Sequence, residues 1–265
     1  MSSDQPPQPV AFRAQGFNPR PRLRASVLSI GACVLAWELA ADSRLVPSLF
    51  VPAPHEVLRA LWQLASSGQL LAHVLPSLQR IALGWLLGTV AGLLVGFAAG
   101  LFALARAVGM PLVAALFPIP KIALLPLFIL WFGIGEPAKV ATIAFGVFFP
   151  TVLSTCAAVD AVPRNLIRMA QSFGVPFYAI VRKIVLPGSL PGILAGFRIT
   201  TSIALILLVS AEMIGARFGI GAFVLSAGNL MQTDQLVAGV ALLSVVGLTV
   251  SWLLGVLERR LLRWR

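Results

Sequence analysis

The stretch VDAVPRNLIRMAQSFGVPFYAIVRKIVLPGSLP, Val159–Pro191, decides how the rest of the chain is read. It is polar and basic, and it lies between apolar segments each long enough to cross a bilayer. Arg164, Arg168, Arg182 and Lys183 place it on the cytoplasmic side, where short loops collect positive charge. Pro163 suits the first turn of a helix. Leu166, Met169, Ala170 and Phe173 follow at i, i+3, i+4 and i+7, which draws one apolar stripe along it. Gly174 ends that helix, and Pro176 keeps it from resuming. A second short helix fits Phe177–Val185, and Leu186-Pro187-Gly188 is expected to break the chain before the next apolar run. A helix–turn–helix in a loop between membrane spans implies that the loop meets another protein.

Composition agrees with a chain built for lipid. Hydrophobic residues make up 58% and charged residues 11% of the 265, whereas a soluble domain is about 45–50% apolar and about 25% charged. The expected fold is an all-α polytopic membrane protein with about six transmembrane helices. The net charge of +11 is scattered over short loops, with no basic stripe, so nucleic acid is excluded as a partner. Cys33 and Cys156 both fall in apolar runs and imply neither a disulfide framework nor a metal site. His55 and His73 have no ligand-spaced companions.

Outward from the basic stretch, the expected spans are 26–41, 78–105, 110–132, 139–159, 191–214 and 235–257, with the loop at 160–190. Residues 1–24 read as a disordered basic cytoplasmic tail, and 25–265 as one membrane domain. Pro54–Ala65 reads as an amphipathic helix on the membrane face. In the second span Gly84, Gly88, Gly92, Gly96 and Gly100 recur every four residues. Small residues at that spacing form a groove for a close neighbour helix. Four residues overshoot one turn by about 40°, so the groove winds and suits a crossed partner. The third span carries Pro111, Pro118, Pro120 and Pro126, too many for a plain helix. Thirteen of the 20 Lys and Arg fall inside if the N-terminus is inside; Arg44, Arg59, Arg80, Lys139 and Arg217 fall at the outer side. Lys121 and Arg198 lie within spans. Either could face a central path and favour anions, or reach an interface. Glu212 sits near the outer end of the fifth span, where a hydrogen bond or an ion pair with nearby Arg217 competes with a role in the path.

No run of the form G-x-x-x-x-G-K-[ST], H-E-x-x-H, C-x-x-C or G-x-S-x-G is present, so energy must come from a partner ATPase or an ion gradient. A gradient-driven transporter would call for an inverted repeat or paired intramembrane carboxylates, and neither is clear. An intramembrane enzyme would need a nucleophile or metal set.

Gly174, nine residues, Ile184, one residue and Leu186-Pro187 resemble the G-x9-I-x-L-P half of the EAA loop, the signature of permease subunits of bacterial ABC importers. The family's Glu-Ala-Ala falls on Arg168-Met169-Ala170, so only Ala170 agrees. FPIPKIALLPLFILWFGIGEPAK (Phe117–Lys139) and AEMIGARFGIG (Ala211–Gly221) resemble the sulfonate, taurine and nitrate subgroup. The resemblance implies a type I importer permease, with ATP on a partner subunit and no cofactor on this chain. Arg164, Ile167, Arg168, Met169, Ala170, Phe173, Gly174, Ile184, Leu186 and Pro187 would form the coupling contact with the ATP-binding subunit. Lys121, Pro126, Arg198 and Glu212 would be candidates for the path. It further implies a homodimer in the bacterial inner membrane, both termini cytoplasmic, fed by a periplasmic or lipid-anchored solute-binding protein. The substrate would be a small anion of the sulfonate, taurine or nitrate class; a neutral pyrimidine-type precursor is the alternative.

Overall fold

The computed structural model describes residues 23–43 and 50–262, so most of the expected N-terminal tail lies outside the described residues. Every regular element among them is helical. The chain forms two compact units, Met1–His55 and Glu56–Arg265. In the first, α1 (Leu23–Asp42) carries Trp37, whose Nε1 donates to the Pro52 carbonyl at 3.1 Å, and Glu38, paired with His55 at 2.6 Å.

The second unit opens in α2 (Pro54–Ser66), which turns Val57, Ala60 and Leu64 inward and leaves Leu58 and Trp62 exposed. That is the amphipathic pattern expected of it. α3 (Gln69–Leu101) starts nine residues before the expected span and carries Pro76 inside it. Pro76 has no amide to give the Ala72 carbonyl four residues back, and the helix runs on through it. The helix stops at Phe102, whose backbone is extended, and α4 (Ala103–Leu116) follows at once. The second span therefore ends at 101, and the third begins at 103. That third span is broken. Pro118 and Pro120 lack amide donors, so the chain turns 89° through a 3₁₀ turn (Lys121–Leu124) into α5 (Leu125–Phe132). α6 (Glu136–Asp160), α7 (Arg164–Ser172) and α8 (Phe177–Ile180) come next.

The expected break at Leu186-Pro187-Gly188 does not occur. A π turn (Val181–Val185) joins α8 to α9 (Leu186–Gly215), giving one 39-residue helix from Phe177 to Gly215. The Leu186 amide donates to the Val181 carbonyl, five residues back. The wider turn relieves the clash that Pro187 would otherwise make with the carbonyl four residues behind it. α10 (Ile220–Asn229) and α11 (Thr233–Leu261) complete the chain. Among the described residues four helices are long and apolar enough to cross a membrane, or five with the bent pair; the expected first span appears as the shorter apolar helix Val27–Ala41.

The glycine row of α3 lies on α6. A Cβ at Gly84 would fall 2.6 Å from the Ile143 Cβ, at Gly92 and Gly96 2.6 Å from the Cβ of Thr151 and Thr155, and at Gly100 2.8 Å from the Val159 Cβ. At Gly88 it would overlap the Ala144 carbonyl oxygen. Partners rise with the row, so the two helices run parallel. α9 runs antiparallel to α6, with Gly192 against Ala158 and Gly196 against Ser154. Ile81, Ile143, Val147, Ala204, Leu207 and Leu208 fill the space among α3, α6 and α9. Without a hydrophobic push in lipid, such close backbone approach supplies the attraction between helices.

Candidate functional site

The basic elbow is built on one end of this core. Gly174 takes φ +69, the left-handed conformation that closes α7, and the Val175 amide donates to the Ala170 carbonyl at 3.1 Å. Val159, Val162, Ala170, Ile180 and Val185 are buried together, with Ile167, Val175 and Ile184 packed on them and Phe97 and Leu101 of α3 beneath. The elbow is thus tied to α3, α6 and α9 through side chains.

The expected apolar stripe divides. Ala170 turns inward, with Ile167 half-buried beside it, while Leu166, Met169 and Phe173 point away from the core. Phe173 is 79% exposed, and Phe177 and Tyr178, which open α8, are exposed as well. Arg164, Arg168, Arg182 and Lys183 are exposed too, Ile184 and Pro187 are half-buried, and Leu186 is exposed. The reason for the division is geometric: a nine-residue helix has room for one inward face, and Ile167 and Ala170 occupy it.

At the break in the third span Lys121 folds back on the end of α4. Its ammonium donates to the carbonyls of Leu116 (3.2 Å), Phe117 and Ile119 (2.7 Å), and lies 5.0 Å from the centre of the Phe149 ring. The carbonyls that end a helix carry partial negative charge, and the cation satisfies them. Pro126, in the first turn of α5, is exposed. Arg198 of α9 pairs with Glu258 of α11 at 2.5 Å, half-exposed.

The opposite end of the core holds a cluster that the sequence reading missed. Arg80 donates to Glu212 at 2.6 Å and to both oxygens of Glu136 at 2.5 and 2.7 Å. Its guanidinium also donates to the Phe218 carbonyl at 2.7 Å, and Lys139 reaches Glu136 at 3.4 Å. Glu212, fully enclosed, further accepts from Ser77 at 2.7 Å and from the Gly221 amide at 2.8 Å. His73 bonds Gly219. Glu212 therefore takes Arg80 as its partner, although Arg217 is far closer in sequence; Arg217 points outward. Likewise His73 is part of a cluster and not isolated. One signal was available: His73, Ser77 and Arg80 stand at i, i+4 and i+7, a polar stripe on an otherwise apolar helix.

The elbow presents exposed apolar and basic side chains at one end of a bundle of long apolar helices, a face suited to contact with another subunit. Comparison with known proteins agrees. Residues 88–263 match the model of the binding-protein-dependent transport system inner membrane component. The chain is 36% identical to the taurine transport system permease protein TauC of Escherichia coli, over 92% of each chain. It is 34% identical to the putative aliphatic sulfonates transport permease protein SsuC of Bacillus subtilis, over 90% of this chain and 87% of that one. The riboflavin transport system permease protein RibX of Chloroflexus aurantiacus is 32% identical, over 86% and 85%. In fold, it resembles a chain of the inward-facing MetNI methionine ABC transporter, with a TM-score of 0.63, 24% identity and coverage of 72% and 95%. Membership implies a partner ATP-binding subunit and a solute-binding protein. The chain belongs to the binding-protein-dependent transport system inner membrane component family, and it is the permease subunit of an ATP-driven importer.

Proposed function

We propose that two copies of this chain form the pathway for a small organic anion of the alkanesulfonate class, handed over by a solute-binding protein. The single observation that carries the coupling half of this reading is the outward face of α7 and α8. Leu166, Met169, Phe173, Phe177 and Tyr178 are exposed amid four basic residues. Lipid does not explain such a mixture, and water disfavours so large an apolar patch. A groove on the ATP-binding subunit would cover it. The excess of Lys and Arg on this side supports a cytoplasmic elbow with both termini on that side. The substrate class rests on the two relatives named for taurine and aliphatic sulfonates. A second reading, an uncharged ring compound, is favoured by the relative named for riboflavin transport.

Within each copy, the broken third span is the part suited to line the path. Irregular backbone at membrane depth is stable only inside protein or against water. Lys121 stands at that break and Pro126 faces outward just beyond it.

Replacing Met169 and Phe173 together with Asp tests the coupling face. Both side chains point away from the core, so melting of the isolated permease should stay unchanged. Copurification of the ATP-binding subunit should fall roughly tenfold or more, because exposed apolar anchors dominate such contacts. Undiminished copurification with ATP-driven uptake intact would remove the elbow from the coupling role. For the substrate, reconstituted complex with its binding protein is expected to take up taurine or a short alkanesulfonate in an ATP-dependent way. Uptake of riboflavin and not of sulfonates would select the second reading.

A further inference from the structure

Of the four described helices long and apolar enough to cross a membrane, α11 is the least enclosed. Its most apolar stretch is 6% buried, against 33–50% for the other three uninterrupted spans. Val250 and Leu254 of α11 border one opening, and Glu258 and Arg259, further toward the end of the helix, border a second. The first is a cavity of about 270 Å³ walled by Leu78, Ile81, Trp85, Val250 and Leu254, and no polar atom lines it. The second is a groove of about 460 Å³ bounded by Arg198, Trp252, Glu258 and Arg259. On α9, Thr201 borders the cavity and Arg198 the groove, three residues apart and on one side of the helix. Both helices therefore pass from apolar to charged in the same direction.

We propose that the seam between α9 and α11 holds one anionic phospholipid, with its phosphate at Arg198 and Arg259 and one acyl chain in the cavity beside Trp85. Charge selects the head. Glu258 neutralises one of the two guanidiniums, and the other is left to pair with an anion. Guanidinium forks match phosphate oxygens, and basic pockets between membrane helices hold lipid headgroups in this manner. Depth agrees. The groove lies where the apolar run of α11 gives way to Glu258-Arg259-Arg260, and Trp252, 63% exposed, is a ring that settles at the interface. The dry cavity selects the tail. A hydrated solute gains nothing from a wall without polar atoms, whereas an acyl chain fills it. The lipid would act as a wedge that joins the sparsely packed α11 to α3 and α9.

The test uses the permease–ATPase complex in nanodiscs of phosphatidylcholine, with or without phosphatidylglycerol, followed by delipidation and native mass spectrometry. The wild type is expected to retain phosphatidylglycerol and not phosphatidylcholine. Arg198→Gln with Arg259→Gln should lower retention roughly tenfold or more. Leu254→Trp, which fills the cavity and leaves the charges in place, should lower it as well; this arm stands even if the double variant fails to assemble. Retention unchanged in Leu254→Trp, or equal retention of the two lipids, overturns the proposal. So does displacement of the lipid by taurine or inorganic phosphate alone, which would make the groove a small-anion site.

Discussion

Gly88→Val is expected to prevent α3 from docking on α6. A Cβ at position 88 would overlap the carbonyl oxygen of Ala144 and lie 3.0 Å from its carbonyl carbon and Cα. These are backbone atoms, and no rotamer change can move them. Overpacking a tight core costs about 1–3 kcal/mol when side chains can yield, so a clash with rigid backbone belongs at the upper end or beyond. A loss of about 3 kcal/mol would lower the melting temperature by roughly 6–12 °C for a chain of this size. The same substitution at Gly109 is the control. Gly109 is also helical, and nothing lies within 4 Å of its Cβ position. Thermal melting of the two variants in detergent should therefore separate widely. Equal melting would show that α3 and α6 do not meet along the glycine row. Because the row continues through Gly100 to Val159, a residue of the elbow core, opening this seam should also loosen the elbow.

What was legible in the sequence follows from how local each signal is. The glycine row, the prolines of the third span and Gly174 act within a few residues of themselves, and each can be read from spacing alone. The π turn before Pro187 could not be read. Leu-Pro-Gly ordinarily marks a break, whereas here Ile180 and Val185, just before and at the end of the π turn, are buried in the elbow core, a long-range contact that spacing does not show. The start of α3 was misread for a similar reason: Gln69, His73 and Pro76 look like loop until their partners across the fold are known. The ion cluster is the extreme case. Arg80 and Glu212 stand 132 residues apart, and Arg80 and Glu136 stand 56 apart. Counting charges set Arg80 at the end of its helix away from the elbow and could not say what it touches. The elbow's apolar stripe shows the limit of periodicity from the other side. A period of 3.6 shows that residues share a face, and it does not say which of them the core claims.

Arg80→Met should be among the most damaging single changes at the end of the core opposite the elbow. It leaves the Glu212 carboxylate fully enclosed, with only the Ser77 hydroxyl and the Gly221 amide to balance it. Removing one partner of a buried ion pair costs about 3–5 kcal/mol, because the other charge stays unpaired. Glu136→Gln should cost far less, about 1 kcal/mol or below, since the Glu136 side chain is 59% exposed and water can replace what it loses. The double variant Arg80→Met with Glu212→Leu removes both buried charges, so it should recover part of what Arg80→Met alone loses. The cycle is read by chemical or thermal unfolding in detergent, and additive losses would mean that the two residues do not act as a pair. Gly219→Ala reaches the same place by another route. Its Cβ would fall 2.5 Å from the Glu212 carboxyl carbon and 2.6 Å from the Arg80 guanidinium, at φ +141. The turn between α9 and α10 is thus shaped around the ion pair, and the pair in turn fixes where α10 begins. A variant that breaks the pair should release that turn, which limited proteolysis after Arg217 would detect as faster cleavage than in the wild type.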